Sequence, residues 1–327
     1  MLQNAIQIRS LTLKNRLVMP PMATGKSSAG RVTDELIAYY RDRAQFSAPG
    51  LIVLEHAFIA PAGRASAGQL SIADDDCIAG LTKLVRAIHD AGSAVIAQLN
   101  HAGSGAEPET PGVNLSASAV ASPRKPESGV PREMTRAEIL LTEADFVRAA
   151  LRAIRAGCDG VEIHSAHSYL LNQFYSPLTN RRTDEYGPQT MENRLRFHLE
   201  TVGAVRKAVG PDVPIALRLG GADYLPGGST EEDAVEACSM LEAASVDLID
   251  LSGGMCGYIR PERSEPGYFS SMSEKVKASV DVPVLVTGGV QTITDAERLL
   301  QEGKADLIGV GRALFRDAHW REHAESV

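Results

Sequence analysis

Two histidines and a tyrosine lie close together in the segment HSAHSY, as His164, His167 and Tyr169. Imidazole N–H groups can donate hydrogen bonds to an oxygen that gains negative charge, and a phenol can supply a proton. A metal site is the weaker interpretation, because the spacing differs from the helical zinc motif and no third ligand is evident. In the alternative interpretation these residues are only structural: a histidine caps a helix, and Tyr169 packs in the core. The three groups together favour a site that binds an oxyanion and donates a proton.

Two glycine-rich positions near the end of the chain have a different chemistry. Gly288-Gly289 and Gly311-Arg312 follow short apolar runs, so backbone N–H groups and a guanidinium become available to a phosphate. Tight turns that bind no ligand are the alternative. Neither a dinucleotide-binding glycine motif nor a P-loop fits, because Leu314 and Pro20 occupy positions where these motifs need glycine. We therefore predict a phosphate site.

Gln98 and Arg218 also end apolar runs. An arginine at the end of a buried strand generally has an anionic or carbonyl partner. A glutamine can donate and accept hydrogen bonds, as recognition of a planar, imide-like ring requires. Together with the phosphate site, these side chains predict a phosphorylated planar cofactor, and FMN fits that description.

Short apolar runs that alternate with helix-like segments must position these residues. Continuous Val, Ile and Leu runs are typical of strands buried on both faces of a parallel sheet. Eight such runs occur, at residues 17–21, 51–56, 94–100, 160–165, 215–220, 248–254, 284–289 and 307–312. The pattern predicts an α/β fold, a single (β/α)8 barrel domain over residues 1–327, with a doubly wound sheet as the alternative.

Two further segments have expected positions in the barrel. AIQIRSLTLKN alternates between apolar and polar residues on either side of Arg9-Ser10, which predicts a β-hairpin that closes the barrel floor. Residues 101–136 are rich in Pro, Ser and Gly, and fall between the third strand and its helix. Long segments of this kind are usually lids or binding loops, so we expect this one on the active face.

The composition excludes several classes of protein. A formal net charge of −8 argues against a nucleic-acid partner. Cys77, Cys158, Cys238 and Cys256 form no C-x-x-C pair, so we expect neither a metal cluster nor a disulfide framework. The sequence has no apolar run of the kind that a membrane span or a signal peptide needs, so we expect no membrane partner. We expect a cytoplasmic protein with a small-molecule substrate. The sequence leaves open whether the protein forms a homo-oligomer.

The segments LKNRLVMPPMAT, AQLNHAGS, GVEIHSAHSYLLNQFYSPLTNRRTDEYG and GVGRALF resemble those of the old yellow enzyme family of FMN-dependent ene-reductases. The resemblance extends over nearly the whole chain and implies a single (β/α)8 barrel. It implies an NAD(P)H oxidoreductase in which NADPH or NADH reduces FMN, which then reduces the activated C=C bond of unsaturated carbonyl or nitro compounds. An FMN-dependent oxidative N-demethylase and a sugar-phosphate-binding barrel without flavin stay open as alternatives.

The resemblance also implies roles for individual residues. His164 and His167 correspond to the pair that holds the substrate oxygen, and Tyr169 corresponds to the proton donor. The residues that correspond to flavin ligands are Pro21, Met22, Ala23, Gln98, Arg218, Gly288, Gly289, Gly311 and Arg312.

Two positions depart from the family pattern. Ala23 stands where relatives often carry Cys or Thr, so the flavin potential is expected to differ. His56 replaces a small residue near the expected pyrimidine ring, where it narrows the pocket or adds a donor, and we count it among the cofactor-binding residues. The MPPMAT start is most similar to the barrels of dienoyl-CoA and enoate reductases. Their iron–sulfur and second nucleotide-binding segments are not found here, so electrons are expected directly from NAD(P)H.

Overall fold

The computed structural model of the protein describes residues 1–107 and 114–324. The strands in this part of the chain are β1 (Ile6–Ile8), β2 (Leu11–Leu13), β3 (Leu17–Met19), β4 (Leu51–Phe58), β5 (Ala94–Asn100), β6 (Leu115–Ser116), β7 (Arg132–Glu133), β8 (Gly160–Ser165), β9 (Ile215–Ala222), β10 (Leu248–Gly253), β11 (Val284–Thr287) and β12 (Leu307–Gly309). The α-helices are α1 (Asp34–Phe46), α2 (Cys77–Asp90), α3 (Arg136–Arg155), α4 (Leu170–Tyr175), α5 (Met191–Val209), α6 (Glu231–Ala243), α7 (Ser270–Lys277), α8 (Ile293–Gln301), α9 (Arg312–Arg316) and α10 (Trp320–Ala324).

Eight of the strands form a closed parallel barrel in the order β3-β4-β5-β8-β9-β10-β11-β12, and β12 pairs with β3. All eight apolar runs of the sequence supply these strands. Their residues are almost all buried because the helices cover the outside and the barrel interior is packed. The predicted (β/α)8 barrel is therefore confirmed, and closure excludes the doubly wound sheet.

Several helices begin at a threonine whose side chain caps the first turn. At α3, α6 and α8, Thr135, Thr230 and Thr292 each form a capping box with the acidic residue three positions later. The capping box at Thr135 sets the start of α3 at Arg136.

The segment between β5 and α3 carries the small sheet of β6 and β7. Residues 108–113 of the predicted lid lie outside the described residues. The side chain of Arg182, which is buried, donates to the carbonyl oxygens of Ala117 and Met134 and so ties the segment to the loop after α4.

The N-terminal hairpin closes the bottom of the barrel, as predicted. β1 and β2 pair antiparallel, and Ile8 and Leu13 are buried against the lower ends of the strands. The same buried apolar cluster contains the barrel residues Val18, Leu51, Val53, Ile96, Ala216, Leu248, Leu285 and Leu307. Burying one such aliphatic side chain stabilises the fold by roughly 1.5–3 kcal/mol. This floor is apolar, so a polar site has to lie at the other end.

In the part of the chain that the structure describes, no helix is both long enough and apolar enough to cross a membrane.

Candidate active site

A cavity of about 610 Å³ opens at the C-terminal ends of the barrel strands. This volume lies within the range of roughly 300–1,000 Å³ that is usual for small-molecule and cofactor sites. All thirteen residues that the sequence analysis assigned to the site line this one cavity, namely Pro21, Met22, Ala23, His56, Gln98, His164, His167, Tyr169, Arg218, Gly288, Gly289, Gly311 and Arg312. The polar strand ends thus form one shared pocket.

The segment after β8 brings its two imidazoles and the phenol together. The ring centroids of His164 and His167 are 5.2 Å apart, and those of His164 and Tyr169 are also 5.2 Å apart. His167 and Ser168 adopt left-handed backbone conformations, with φ of 59° and 62°. Such conformations cost on the order of 1–2 kcal/mol per non-glycine residue and are often found at functional sites. The sharp turn is what returns His167 and Tyr169 to the cavity.

Burial keeps these groups uncharged. Desolvation and the nearby Arg218 guanidinium lower the pKa of His164 and His167 well below the ordinary value. Desolvation also raises the pKa of Tyr169, so the phenol keeps its proton at neutral pH. The Nε2 atom of His167 lies 2.8 Å from the hydroxyl oxygen of Ser252 on β10, which orients the ring. The site therefore offers neutral N–H and O–H donors.

His56 on β4 adds a third imidazole whose tautomer is fixed by its neighbours. The backbone N–H of Ala65 donates to Gln69 Oε1 at 2.6 Å, so Gln69 must present its NH₂ group to His56 Nδ1, 2.9 Å away. The Asn100 amide nitrogen lies 3.1 Å from the same Nδ1 atom. Nδ1 is thus an acceptor, and the proton is on Nε2. Of the two effects expected of His56, a narrower pocket or an added donor, this geometry favours the added donor.

His56 also packs against the proposed proton donor. Its ring stacks on Tyr169 with centroids 5.3 Å apart and an angle of 28° between the planes. Burial lowers the pKa of His56 to about 4, with a further contribution from the Arg218 charge. His56 is therefore neutral in the physiological range and restricts the tyrosine ring.

Gln98 and Arg218 line the cavity from β5 and β9, and a buried carboxylate holds each one from behind. Gln98 Nε2 donates to Glu162 Oε2 at 2.6 Å, and Arg218 Nε lies 3.1 Å from Asp250 Oδ2. Because the NH₂ group of Gln98 is engaged with Glu162, its carbonyl oxygen remains to accept a hydrogen bond elsewhere. Neither carboxylate is among the predicted site residues, although a charge inside an apolar strand run is the pattern that could have found them.

The glycine-rich strand ends form the opposite, cationic part of the cavity. A Cβ atom on Gly288 or Gly289 would lie 2.9 Å from the ring of Tyr268, and Gly289 has a φ of +71°. A side chain is therefore excluded at these positions, and the backbone faces the cavity directly. Arg312 and Arg316 line the same region, and no Asp or Glu among the described residues lines the cavity. This end is suited to an anionic group such as a phosphate.

The loop after β3 supplies Pro21, Met22 and Ala23. Thr24, the next residue, is anchored through its hydroxyl and its N–H to the buried carboxylate of Glu55, at 2.5 Å and 3.3 Å. On the other side, a Cβ atom on Gly311 would lie 3.3 Å from Met22 Sδ. These contacts hold the loop across the junction of β3 and β12.

Other residues line the cavity that sequence reasoning did not find, among them Tyr258, Tyr268, Thr287, Gln291, Phe315 and Arg316. Tyr258, Tyr268 and Gln291 lie in loops that lack a periodic pattern, so their types alone carry no functional signal. The metal interpretation of the histidine pair finds no support within the described ranges, because no group of three His, Cys, Asp or Glu side chains there could hold an ion.

Comparisons with known proteins agree with this geometry. The model of the NADH:flavin oxidoreductase / NADH oxidase family matches residues 2–327. A curated NADH oxidase of Thermoanaerobacter brockii is 39% identical, over 98% of this chain and 50% of its own length. A curated NADPH dehydrogenase of Geobacillus thermodenitrificans is 40% identical, over 95% of this chain and 90% of its own length. The chain thus spans about half the length of the NADH oxidase.

Solved structures of reductases also superimpose on this chain. The complex of a 2-naphthoyl-CoA reductase with 2-naphthoyl-CoA superimposes with a TM-score of 0.92 at 28% identity, covering 99% of this chain and 52% of that one. An old yellow enzyme homologue from Zymomonas mobilis superimposes with a TM-score of 0.82 at 26% identity, covering 96% of this chain and 89% of that one. The resemblance inferred from the motifs is confirmed, and the chain belongs to the NADH:flavin oxidoreductase / NADH oxidase family.

Proposed function

We propose that this chain is an FMN-dependent NAD(P)H oxidoreductase that reduces the activated C=C bond of α,β-unsaturated carbonyl or nitro compounds. One observation carries the proposal: uncharged donors on His164, His167 and Tyr169 lie together on one wall of a cavity whose far end is cationic. We further propose that residues 1–327 form one FMN-binding domain.

The cavity fits FMN in three respects. Gln98 offers a carbonyl oxygen to an imide N–H, and Arg218 offers a positive charge near it. Gly288, Gly289 and Arg312 offer backbone and guanidinium donors to a phosphate. When bound there, FMN supplies hydride transfer between NADPH or NADH and the alkene. Pro21, Met22 and Ala23 would lie along the edge of the ring system.

The proposed catalytic residues act on the substrate. His164 and His167 donate hydrogen bonds to the carbonyl or nitro oxygen, which polarise the double bond and stabilise the enolate-like charge of the transition state. Tyr169 delivers a proton to the carbon next to the activating group. Neutral imidazoles suit this role, because they are donors at neutral pH without titrating. His56 contributes by holding the plane of Tyr169.

The relatives support electron supply from nicotinamide nucleotides, because their names are NADH oxidase and NADPH dehydrogenase. The solved reductase bound to 2-naphthoyl-CoA supports a planar, conjugated acyl group as one class of substrate. We propose small-molecule substrates for this chain as well.

Anaerobic stopped-flow spectroscopy of the purified protein tests the proposal. The flavin absorbance should bleach with NADPH or NADH and recover on mixing with 2-cyclohexenone or 1-nitrocyclohexene. A colourless protein that cannot be loaded with FMN would contradict the proposal and favour the sugar-phosphate barrel. Bleaching by an N-methylated amine, with no response to NAD(P)H, would favour the demethylase.

A further inference from the structure

A layer of polar side chains crosses the barrel interior directly beneath the cavity. It contains Gln98 on β5, Glu162 on β8, Arg218 on β9 and Asp250 on β10, which are between 0% and 4% exposed. The strand register places Gln98 opposite Glu162 and Arg218 opposite Asp250. The charge of Arg218 acts on both carboxylates, although only Asp250 is paired with it directly.

The hydrogen bonding of this layer is incomplete. Glu162 Oε1 and both oxygens of Asp250 accept no hydrogen bond from any described residue. Arg218 Nε approaches Asp250 at 3.1 Å but without the alignment of a hydrogen bond. Burying an ionised carboxylate costs several kcal/mol unless partners compensate for the lost water. With both carboxylates ionised, their charge would exceed that of Arg218.

The surroundings favour a proton within the pair. Desolvation raises the pKa of Glu162 and of Asp250, and mutual repulsion raises that of Glu162 further, while Arg218 opposes both shifts. The other ionisable groups near Arg218 are His56 on β4, His164 on β8, His167 just after β8, and Tyr268. Burial keeps all four uncharged, because it lowers the pKa of the imidazoles and raises that of the phenol. No other described cation is close enough to compensate for the second carboxylate.

Both residues that the carboxylates hold also face the cavity. Gln98 and Arg218 line it, whereas Glu162 and Asp250 lie behind them. A negative charge that arrives at the cavity face of Arg218 therefore weakens the hold of Arg218 on Asp250. The carboxylate pair then binds a proton more tightly, by simple Coulomb coupling.

We propose that Glu162 and Asp250 form a proton-accepting pair that offsets the negative charge gained at the cavity when the bound flavin is reduced. The inference rests on the proposed function. NAD(P)H transfers a hydride, so two electrons and one proton enter the cavity. One further proton comes from solvent to the carboxylate pair, which keeps the buried charge constant. That proton leaves when the hydride passes to the substrate.

Infrared difference spectroscopy of the FMN-loaded protein tests this directly. Anaerobic reduction with dithionite should produce the C=O stretch of a protonated carboxylic acid, shifted in D₂O. Glu162→Gln and Asp250→Asn should each remove or shift this band. Asp247→Asn is the matched control, because Asp247 directly precedes the lower end of β10, where it pairs with Arg9 and Arg206. The Asp247→Asn variant should show the same carboxylic acid band on reduction as the wild-type protein.

The midpoint potential of the flavin gives a second measurement. Asp250→Asn removes the charge that partly cancels Arg218, so it should raise the potential and leave the affinity for oxidised FMN within about threefold. A lower or unchanged potential would overturn the inference, since a merely structural role predicts weaker FMN binding instead.

The outcomes separate this inference from the proposed function. If flavin binds and bleaches with NAD(P)H, but the wild-type spectrum lacks a carboxylic acid band, the inference alone is wrong. This result needs no variant, so it holds even if neither variant folds. If the protein cannot be loaded with flavin, both the function and the inference are wrong.

Discussion

The two ends of the barrel are built from the same eight strands but have opposite chemistry. At the lower end, Ile8 and Leu13 from the hairpin seal an interior of aliphatic side chains. At the upper end, histidines, arginines and tyrosines surround an open cavity. Polar atoms left without partners are tolerated at the upper end because the apolar floor supplies the stability.

The change from one chemistry to the other occurs within single strands. On β5, Ile96 faces the floor, Gln98 lies in the ionic layer, and Asn100 holds His56. On β10, Leu248 likewise faces the floor, and Asp250 lies in the ionic layer. Each step is two residues, the repeat that points side chains to the same face of a strand. The interior thus passes from apolar to ionic to hydrogen-bonding over about 13 Å of strand.

The largest expected effect is at the upper end. Tyr169→Phe should slow alkene reduction by roughly 10²–10⁴-fold, because it removes the proton donor but keeps the ring that stacks on His56. Reduction of the flavin by NAD(P)H should stay within about twofold, as stopped-flow absorbance can show. An equal loss in both half-reactions would contradict the role as proton donor.

At the lower end, a change should affect stability and leave the chemistry intact. Leu13→Ala should lower the free energy of unfolding by about 2–5 kcal/mol, because the fully buried side chain leaves a cavity in the floor. Urea denaturation measures this, and Leu140→Ala, at a position 50% exposed, is a control expected within about 0.5 kcal/mol. If Leu13→Ala abolished ligand binding in folded protein, the two ends would not be separate.

The oxyanion site should respond to loss of one donor. His164→Ala should weaken the binding of phenols by roughly 10–100-fold, because a phenolate resembles an enolate and one hydrogen bond to charge is worth about 1.5–3 kcal/mol. Titration of the flavin absorbance measures the affinity. His89→Ala on α2, at a partly exposed histidine paired with Asp159, should leave it unchanged. Unchanged affinity in the His164 variant would contradict the assignment.

Sequence reasoning found the strands and the cavity residues because each carries a local pattern. Apolar runs mark buried strands, and a polar residue at the end of such a run marks the upper rim. The partners that give these residues their chemistry come from elsewhere in the chain. Gln69 fixes the tautomer of His56 across a turn, and Ser252 orients His167 from β10. No local pattern predicts such contacts, since they arise only when the chain folds.

The smallest expected effect is a pH dependence that only the upper end should show. The pKa of His56 falls from 6.5 to about 4 on folding, so the unfolded chain binds a proton that the folded protein excludes. Its contribution to stability is therefore complete above about pH 6.5 and declines as the pH falls towards 4. Because of His56 alone, the free energy of unfolding should be about 1.4 kcal/mol lower at about pH 5.5 than at about pH 7.5.

His56→Phe should remove that part of the pH dependence, as urea denaturation at the two pH values can measure. Leu13→Ala is the matched control from the floor, because no titratable group is changed and the loss of stability should be equal at both pH values. A His56→Phe variant with the full wild-type pH dependence would show that burial and the Arg218 charge do not hold the imidazole neutral beside Gln69 and Asn100. The tautomer assigned from their contacts would then be wrong, and with it the donor that His56 presents to the cavity.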